Sequence, residues 1–396
     1  GKKKLKNFLI SCMSLPERHI HIISFDVPYP PNYGGVIDVF FKIRALHAKG
    51  IKVHLHSFQY GREQAKVLNK YCFSVNYYPR NVAKSLLFMK QPYIVISRNS
   101  ESLIEELLKD DYPILFEGIH TCNFLNDERI AGRIKIVRTH NIEHDYYTNL
   151  AKVEGNIFKR YYFYNEASKL EAFEASLQKA QVIAAISRND TSYFDKKYKN
   201  AFYIPAFHSN EQVHINPGKG NFAFYHGNLA IGENNEAALY LVNEVFNNLK
   251  VPLIIAGARP TSDLRNAVAK KNHITLISDL TTKQIHQLIN DAHINVLPTF
   301  QPTGIKLKLL SALYNGRFAL VNPMMVENTG LEVLCDIATT PSEMREHVLR
   351  LMETDFKAAD IKTREKVLNE NFSNAVNVQK LIDLIFSTGK GLFPQF

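Results

Sequence analysis

Two runs of alternating strand-like and helix-like segments, one on each side of a polar, turn-rich stretch, limit what this chain can fold into. In the first run HIHIISF is β-rich, and DVPYPPNYGG supplies turn residues. VIDVFFKIRALHAKG then places Val36, Phe40, Ile43 and Leu46 at or near helical spacing until Gly50 ends the pattern. IKVHLHSF alternates as a strand does, YPILFEG and RIKIVRTH are further strands, a long helix is expected over about 155–179, and QVIAAIS closes the run. The stretch AFHSNEQVHINPGKG breaks the alternation, which restarts with FAFYHG, VPLIIAG, HITLIS, INVLP and FALVN, with helices between them. A final helix is expected at about 373–388.

Serial βα connections predict largely parallel sheets covered by helices on both faces. The fold class is therefore α/β, with two doubly wound, Rossmann-like domains facing each other across a cleft. The expected boundaries are a leader or extra segment at 1–18, an N-terminal domain at 19–205, a linker at 206–220, a C-terminal domain at 221–372, and a helix in 373–396 that packs back on the first domain. A chain of 396 residues with 45% hydrophobic and 22% charged residues can supply a core to each domain.

Ligands of open α/β sheets bind beyond the carboxyl ends of the strands, so the informative residues should follow strands. Gly34 and Gly35 in PPNYGG could let backbone N–H groups approach a ligand, or form a plain turn before a helix. There is no G-x-G-x-x-G and no P-loop signature, which leaves a classical dinucleotide or ATP site unsupported. Arg259 follows the strand VPLIIAG, where its fork suits a phosphate; a surface loop arginine is the alternative. PTGIKLKLLSALYNG, residues 302–316, opens a helix with two lysines in its first turn. On a wheel of about 100° per residue Lys306 falls inside the arc of Ile305, Leu309, Leu310 and Leu313, and Lys308 lies at its flank. A cation at a helix N-terminus meets an unfavourable dipole, which a bound phosphate relieves; snorkelling to solvent is the other solution.

HNIEH, residues 140–144, fits the H-x-x-E-H pattern of one class of zinc peptidases. His140 comes directly off the strand RIKIVRT, which does not place both histidines on one helix as such a site needs. His140 reads better as a polar group contacting substrate, or as a structural histidine capping the next helix.

Taken in order, YPPNYGG, VRTHNIEHDYY, VIAAISRNDTSYF, FYHGNLAIGENN, LIIAGARP and PTGIKLKLLSALYNGRFALV resemble the retaining glycosyltransferases of the GT-B fold, a group that uses nucleotide sugars and is often found in bacterial envelope glycan assembly. The resemblance runs from about residue 19 to the C-terminal helix. It implies a glycine loop at Gly34 and Gly35 near donor phosphates and acceptor, a histidine beside the transferred sugar at His140, and a donor-side loop beginning at Gly227 and Asn228. It implies an Arg and a Lys on the diphosphate, for which Arg259 and Lys306 are the candidates, with Thr303, Gly304 and Ser311 on the same donor site. The group commonly carries two glutamates eight positions apart on this helix. Thr303 and Ser311 stand at those positions here, so the usual carboxylate contacts to sugar and ribose are lost.

The resemblance further implies a metal-independent transfer, with no cofactor beyond the nucleotide-sugar substrate and a glycan or lipid-linked acceptor. A sugar-nucleotide binding protein without turnover, a nucleotide-sugar epimerase and a zinc hydrolase built on HNIEH are the alternatives. The net charge of +10 is compatible with phosphorylated ligands or an anionic membrane surface. The absence of Trp, of an arginine-rich run and of a basic-aromatic RNA-binding module argues against nucleic acid. GKKKLKNFLISCMSL has the outline of a secretory signal, but its apolar stretch is short and broken by serines. No apolar run approaches the ~20 residues of a membrane span. Cys12, Cys72, Cys122 and Cys335 form no C-x-x-C pair, as expected in a reducing cytosol. The expected location is cytoplasmic, peripheral to the inner face of the membrane.

Overall fold

In a computed structural model, which describes residues 17–301 and 307–387, the chain divides into two compact units. Among the described residues, one comprises 17–184, 194–202 and 378–387; the other comprises 185–193, 203–301 and 307–377.

The first unit is a seven-stranded sheet in the order β3-β2-β1-β4-β5-β6-β7. Its strands are β1 (His19–Ser24), β2 (Lys52–Gln59), β3 (Ser74–Pro79), β4 (Ile114–Glu117), β5 (Lys135–Thr139), β6 (Val182–Ala185) and β7 (Ala201–Tyr203). Strands β1 to β5 pair in parallel. Ile20, Ile22 and Ile23 are all fully buried, a run rather than an alternation, because both sheet faces are covered. Helix α1 (Gly34–Ala48) buries Val36, Val39, Phe40, Ile43 and Leu46, and Gly50 beyond it adopts φ +76°, the left-handed conformation that ends helices. Helices α2 (Glu143–Val153) and α3 (Ile157–Glu174) pack as a hairpin after β5.

The H-x-H repeats of β1 and β2 place four histidines in a ladder, since alternate strand residues share a face. His21 Nε2 lies 2.9 Å from Asp110 Oδ1, His21 Nδ1 2.8 Å from His56 Nε2, and His56 Nδ1 2.9 Å from the Tyr78 hydroxyl. A carboxylate only accepts, so His21 Nε2–H donates to Asp110. With neutral imidazoles, His56 Nε2–H then donates to His21 and the Tyr78 hydroxyl donates to His56. Burial pushes His21 and His56 below the ordinary imidazole range and His54 down to about 4.

The second unit repeats the plan with six strands in the order β10-β9-β8-β11-β12-β13. These are β8 (Ala223–His226), β9 (Leu253–Ala256), β10 (Ile274–Ile277), β11 (Ile294–Val296), β12 (Phe318–Val321) and β13 (Asp336–Ile337). Helix α4 (Gly232–Tyr240) follows β8 and α5 (Leu307–Asn315) precedes β12. The stretch 206–220 carries no helix or strand and falls within this unit. Phe207 and His208 are buried, and His208 bonds Phe372 O and Asn374 within this unit. Helix α6 (Asn374–Ser387) runs out of the second unit, and from Val378 onward it belongs to the first.

In both sheets the strand order reverses beside the first strand, between β1 and β4 and between β8 and β11. Such switch points are where α/β sheets bind ligands.

Candidate active site

At the switch point of the first unit, α1 meets the ends of three strands: Gly35 lies against Phe25 after β1, Lys42 bonds Glu117 of β4 and Asp38 bonds Arg138 of β5. Gly35 makes this approach possible: a Cβ there would fall 2.6 Å from Cζ of Phe25. The Phe25 ring lies with centroids 5.7 Å from His140 on one side and 5.5 Å from His120 on the other. Arg62 holds the preceding loop by bonding Asn32 Oδ1 at 2.9 Å and the Pro30 carbonyl.

Beneath this floor lies a buried network of charges. Lys42 Nζ donates to Asp38 Oδ2 at 2.9 Å and to Glu117 Oε1 at 2.6 Å. Arg138 grips Asp38 with two bonds, Nη2 to Oδ1 at 2.9 Å and Nε to Oδ2 at 3.1 Å. Burial alone would raise the Asp38 carboxyl, but the Arg138 guanidinium and the Lys42 ammonium hold it well below the usual carboxylate range. Two cations balance two carboxylates. His140, the residue after β5, turns Nε2 toward this network, 3.3 Å from Asp38 Oδ2 and 3.6 Å from Glu117 Oε2. Since the carboxylates can only accept, the Nε2 proton points inward and Nδ1 is the nitrogen left to meet a ligand.

Asp38, Glu117 and His140 could each offer an atom to a metal ion, the atoms lying within 4.8 Å of one another. The Lys42 ammonium already bridges the two carboxylates, so a divalent cation would have to compete with it there. The second histidine of HNIEH goes elsewhere. His144 Nε2 lies 3.4 Å from Glu174 Oε2, which raises its pKa. HNIEH therefore does not converge on one ligand set.

The switch point of the second unit is walled by backbone. A Cβ on Gly257 would fall 1.9 Å from the Gly227 carbonyl oxygen, so the loops after β8 and β9 touch main chain to main chain. Asn234 Nδ2 donates to Asn228 O at 3.0 Å, and Asn228 Oδ1 accepts from Ala230 N at 3.2 Å, which shapes the turn into α4. Lys308, in the first turn of α5, donates to Asn234 Oδ1 at 2.6 Å and lies 5.3 Å from the centroid of Tyr225. His226, at the end of β8, has its pKa lowered to about 3 by burial and then by Lys308, and its buried Nε2 has no hydrogen-bond partner among the described residues. Ser311 Oγ is likewise buried without such a partner. Thr299 Oγ1 donates to Glu233 Oε1 at 2.9 Å, and Asn322 clasps the Thr299 backbone at 3.0 Å and 2.6 Å.

The second switch point thus joins Gly227, Asn228 and Lys308. Arg259 is exposed with φ +51°. Thr303, Gly304 and Lys306 lie outside the described residues. Sequence reasoning favoured Lys306 and left Lys308 at the flank of the helix, yet Lys308 reaches the loop after β8. It also missed Asp38, Lys42, Glu117 and Arg138.

No protein-family model matches the sequence. An uncharacterized 44.6 kDa protein in the cps region of Klebsiella pneumoniae is 25% identical over 329 residues, 78% of this chain and 84% of that protein. Among solved structures, a glycosyltransferase from Rickettsia africae ESF-5 superposes with a TM-score of 0.66 at 12% identity, over 96% of this chain and 100% of the other. HepE of Anabaena, in complex with UDP and glucose, gives 0.61 at 12% identity, over 94% and 99%. An Escherichia coli protein described as trehalose-6-phosphate bound with UDP-2-fluoro glucose gives 0.63 at 11%, over 95% and 100%. The chain has the GT-B fold.

Proposed function

We propose that this GT-B chain is a retaining glycosyltransferase that moves a sugar from a nucleotide-diphosphate donor to a glycan or lipid-linked acceptor in cell-surface polysaccharide or glycolipid synthesis. The observation that carries the reading is the pairing, in one chain, of two switch-point sites of opposite construction. One presents a single histidine on a neutralised charge network; the other presents a glycine-walled loop, a helix N-terminus and a lysine. The cps-region relative and the UDP-bearing neighbours support the pathway and the donor class.

In this proposal the donor diphosphate rests against Gly227, Asn228 and the first turn of α4, where N–H groups and the helix dipole favour an anion. Lys308, joined by Lys306 and Arg259, neutralises the charge that builds on the leaving phosphate as the sugar–phosphate bond breaks. Stabilising a developing charge in this way commonly supplies the greatest share of an enzyme's rate enhancement. The acceptor hydroxyl forms the new bond to the anomeric carbon, its proton passes to the departing phosphate, and the anomeric configuration is kept. His140 bonds a hydroxyl of the transferred sugar through Nδ1. The transfer is metal-independent here because side-chain cations take the role of a divalent ion. Lys2, Lys3, Lys4 and Lys6, the sequence-based reason for expecting an anionic membrane, lie outside the described residues.

One observation favours a second reading, sugar-nucleotide binding without turnover. Glu233 puts a carboxylate in the first turn of α4, while Ser311 of α5, and Thr303, which lies outside the described residues, lack the carboxylates the resemblance calls for. The two readings are separated by incubating the protein with UDP-, GDP-, CMP- and dTDP-sugars and an acceptor fraction from envelope glycans. Acceptor-dependent release of nucleotide, an unchanged anomeric configuration by NMR and loss of release in His140→Ala are expected. Binding of a nucleotide sugar with no release above background would favour the second reading.

A further inference from the structure

The hairpin of α2 and α3 carries apolar residues on two nearly opposite faces. On α3 Glu166, Ala167, Leu170 and Glu174 are buried, and at about 100° per residue they share one arc. Ile157, Tyr161 and Tyr164 fall on the far arc and are 71%, 74% and 45% exposed, with Phe158 beside them at 82%. A monomer has no use for such a stripe, and a helix that needs only one apolar face gains nothing from a second.

The charges around the stripe decide what it meets. Lys152, Lys159 and Arg160 are exposed at the tip of the hairpin, and between residues 152 and 165 Glu154 is the single acidic residue. Arg160 is folded onto the turn, donating to the Glu154 carbonyl at 3.0 Å and 2.8 Å. The neighbouring segment repeats the mixture: Phe88 is 90% exposed between Lys84 and Lys90, and the Leu87 carbonyl accepts from Lys169 of α3 at 2.8 Å. On the same wheel Lys159 falls on the arc of Leu170 and Arg160 at its edge, so the exposed Ile157, Phe158 and Tyr161 are bordered by cations at the hairpin tip, and Glu171 is the exposed carboxylate further along the helix. Exposed Tyr, Phe and Ile beside Lys and Arg at one tip is the chemistry of a lipid–water interface, where aromatic rings settle at the headgroups and basic side chains meet anionic phosphates.

We infer that the α2–α3 hairpin is the surface by which this chain docks on an anionic lipid bilayer. It deepens the expectation of a peripheral membrane protein, moving the contact from the basic N-terminal leader to a folded element. Binding is read without turnover, so it can fail or hold independently of the transferase reading.

The test is flotation of the full chain with vesicles of phosphatidylcholine, with and without about one-third phosphatidylglycerol, alongside Ile157→Ser/Phe158→Ser/Tyr161→Ser and, separately, Phe88→Ser. These side chains are exposed, so an unchanged melting temperature is expected and is measured as a control. The expected result is recovery with anionic vesicles only, weakened by salt, and reduced at least tenfold in the triple variant. Recovery of all protein in the soluble fraction overturns the inference. So does binding that survives the triple variant and is lost on removing residues 1–16. A dimer in solution that the triple variant dissociates overturns it in favour of a second copy.

Discussion

The two sheets share one strand order and use their switch points in contrasting ways. In the first unit the crevice is filled by the chain's own charges: Lys42 bonds Asp38 and Glu117 and Arg138 bonds Asp38 beneath His140, with Glu117 Oε2 alone of the carboxylate oxygens lacking a hydrogen-bond partner among the described residues. In the second unit the corresponding space is bounded by glycine backbone, and Ser311 Oγ and His226 Nε2 find no hydrogen-bond partner among the described residues. A network of two cations and two carboxylates lies against one side chain, His140. A backbone-walled loop beside a lysine is the arrangement proposed above to hold a diphosphate. In the proposed reading the same topology supplies a platform for His140 in one unit and an anion site in the other.

Breaking the platform should have the largest effect. Lys42→Met leaves Glu117 and Asp38 short of a cation in a dry interior, and removing one partner of a buried pair destabilises by about 3–5 kcal/mol. Chemical denaturation should show this loss, and wild-type stability would mean that the network is solvated. Gly257→Ala comes next. Its Cβ would strike the Gly227 carbonyl, so the loop must move, with about 1–3 kcal/mol of stability and the nucleotide site lost together. Retention of nucleotide binding by that variant would dissociate the glycine wall from the site.

Lys308→Ala sharpens the contrast differently, because it should spare the apo fold and weaken nucleotide-diphosphate binding. Charge-assisted bonds are worth about 1.5–3 kcal/mol, or roughly 10- to 150-fold in Kd, as read by calorimetric titration. The smallest single-site effect concerns acid. His21, His54 and His56 have folded pKa values below the unfolded value, so the unfolded chain binds more protons as the pH drops. The stability they contribute is complete above pH ~6.5 and declines as the pH falls from there toward 4. His56→Gln should flatten that decline in melting temperature, and an identical slope would show that the ladder does not titrate on unfolding.

Much of the architecture was legible in the sequence because a strand buried on both faces and an amphipathic helix have different periods. HIHIIS and the 34–48 helix needed no distant information. In the stretch 206–220 the polar, turn-rich composition was readable, but the burial of His208 and Asn210 through specific hydrogen bonds was not, because their partners include Phe372, far along the chain. The charge network was hidden for another reason. Lys42 meets Glu117 75 positions away and Asp38 meets Arg138 100 positions away, and a lysine on a helix ordinarily reads as solvated. That His140 and Gly227 directly follow strands was readable, and β5 and β8 end just before them. The tilt that brings Lys308 to Asn234 depends on packing that a helical wheel does not contain. The H-x-H repeats in two adjacent strands were a readable signal for the ladder, since the period of two fixes their common face.

The most direct test of the central claim is thermal unfolding of the protein with UDP, GDP, CMP and dTDP, with Lys308→Ala alongside. A ligand at ~100 times its Kd adds about 2.7 kcal/mol to stability. A clear upward shift for one nucleotide, lost in Lys308→Ala while the ligand-free melting point is retained, is the predicted result. No shift for any of the four, or an equal shift in wild type and variant, would contradict a nucleotide-diphosphate site at the second switch point.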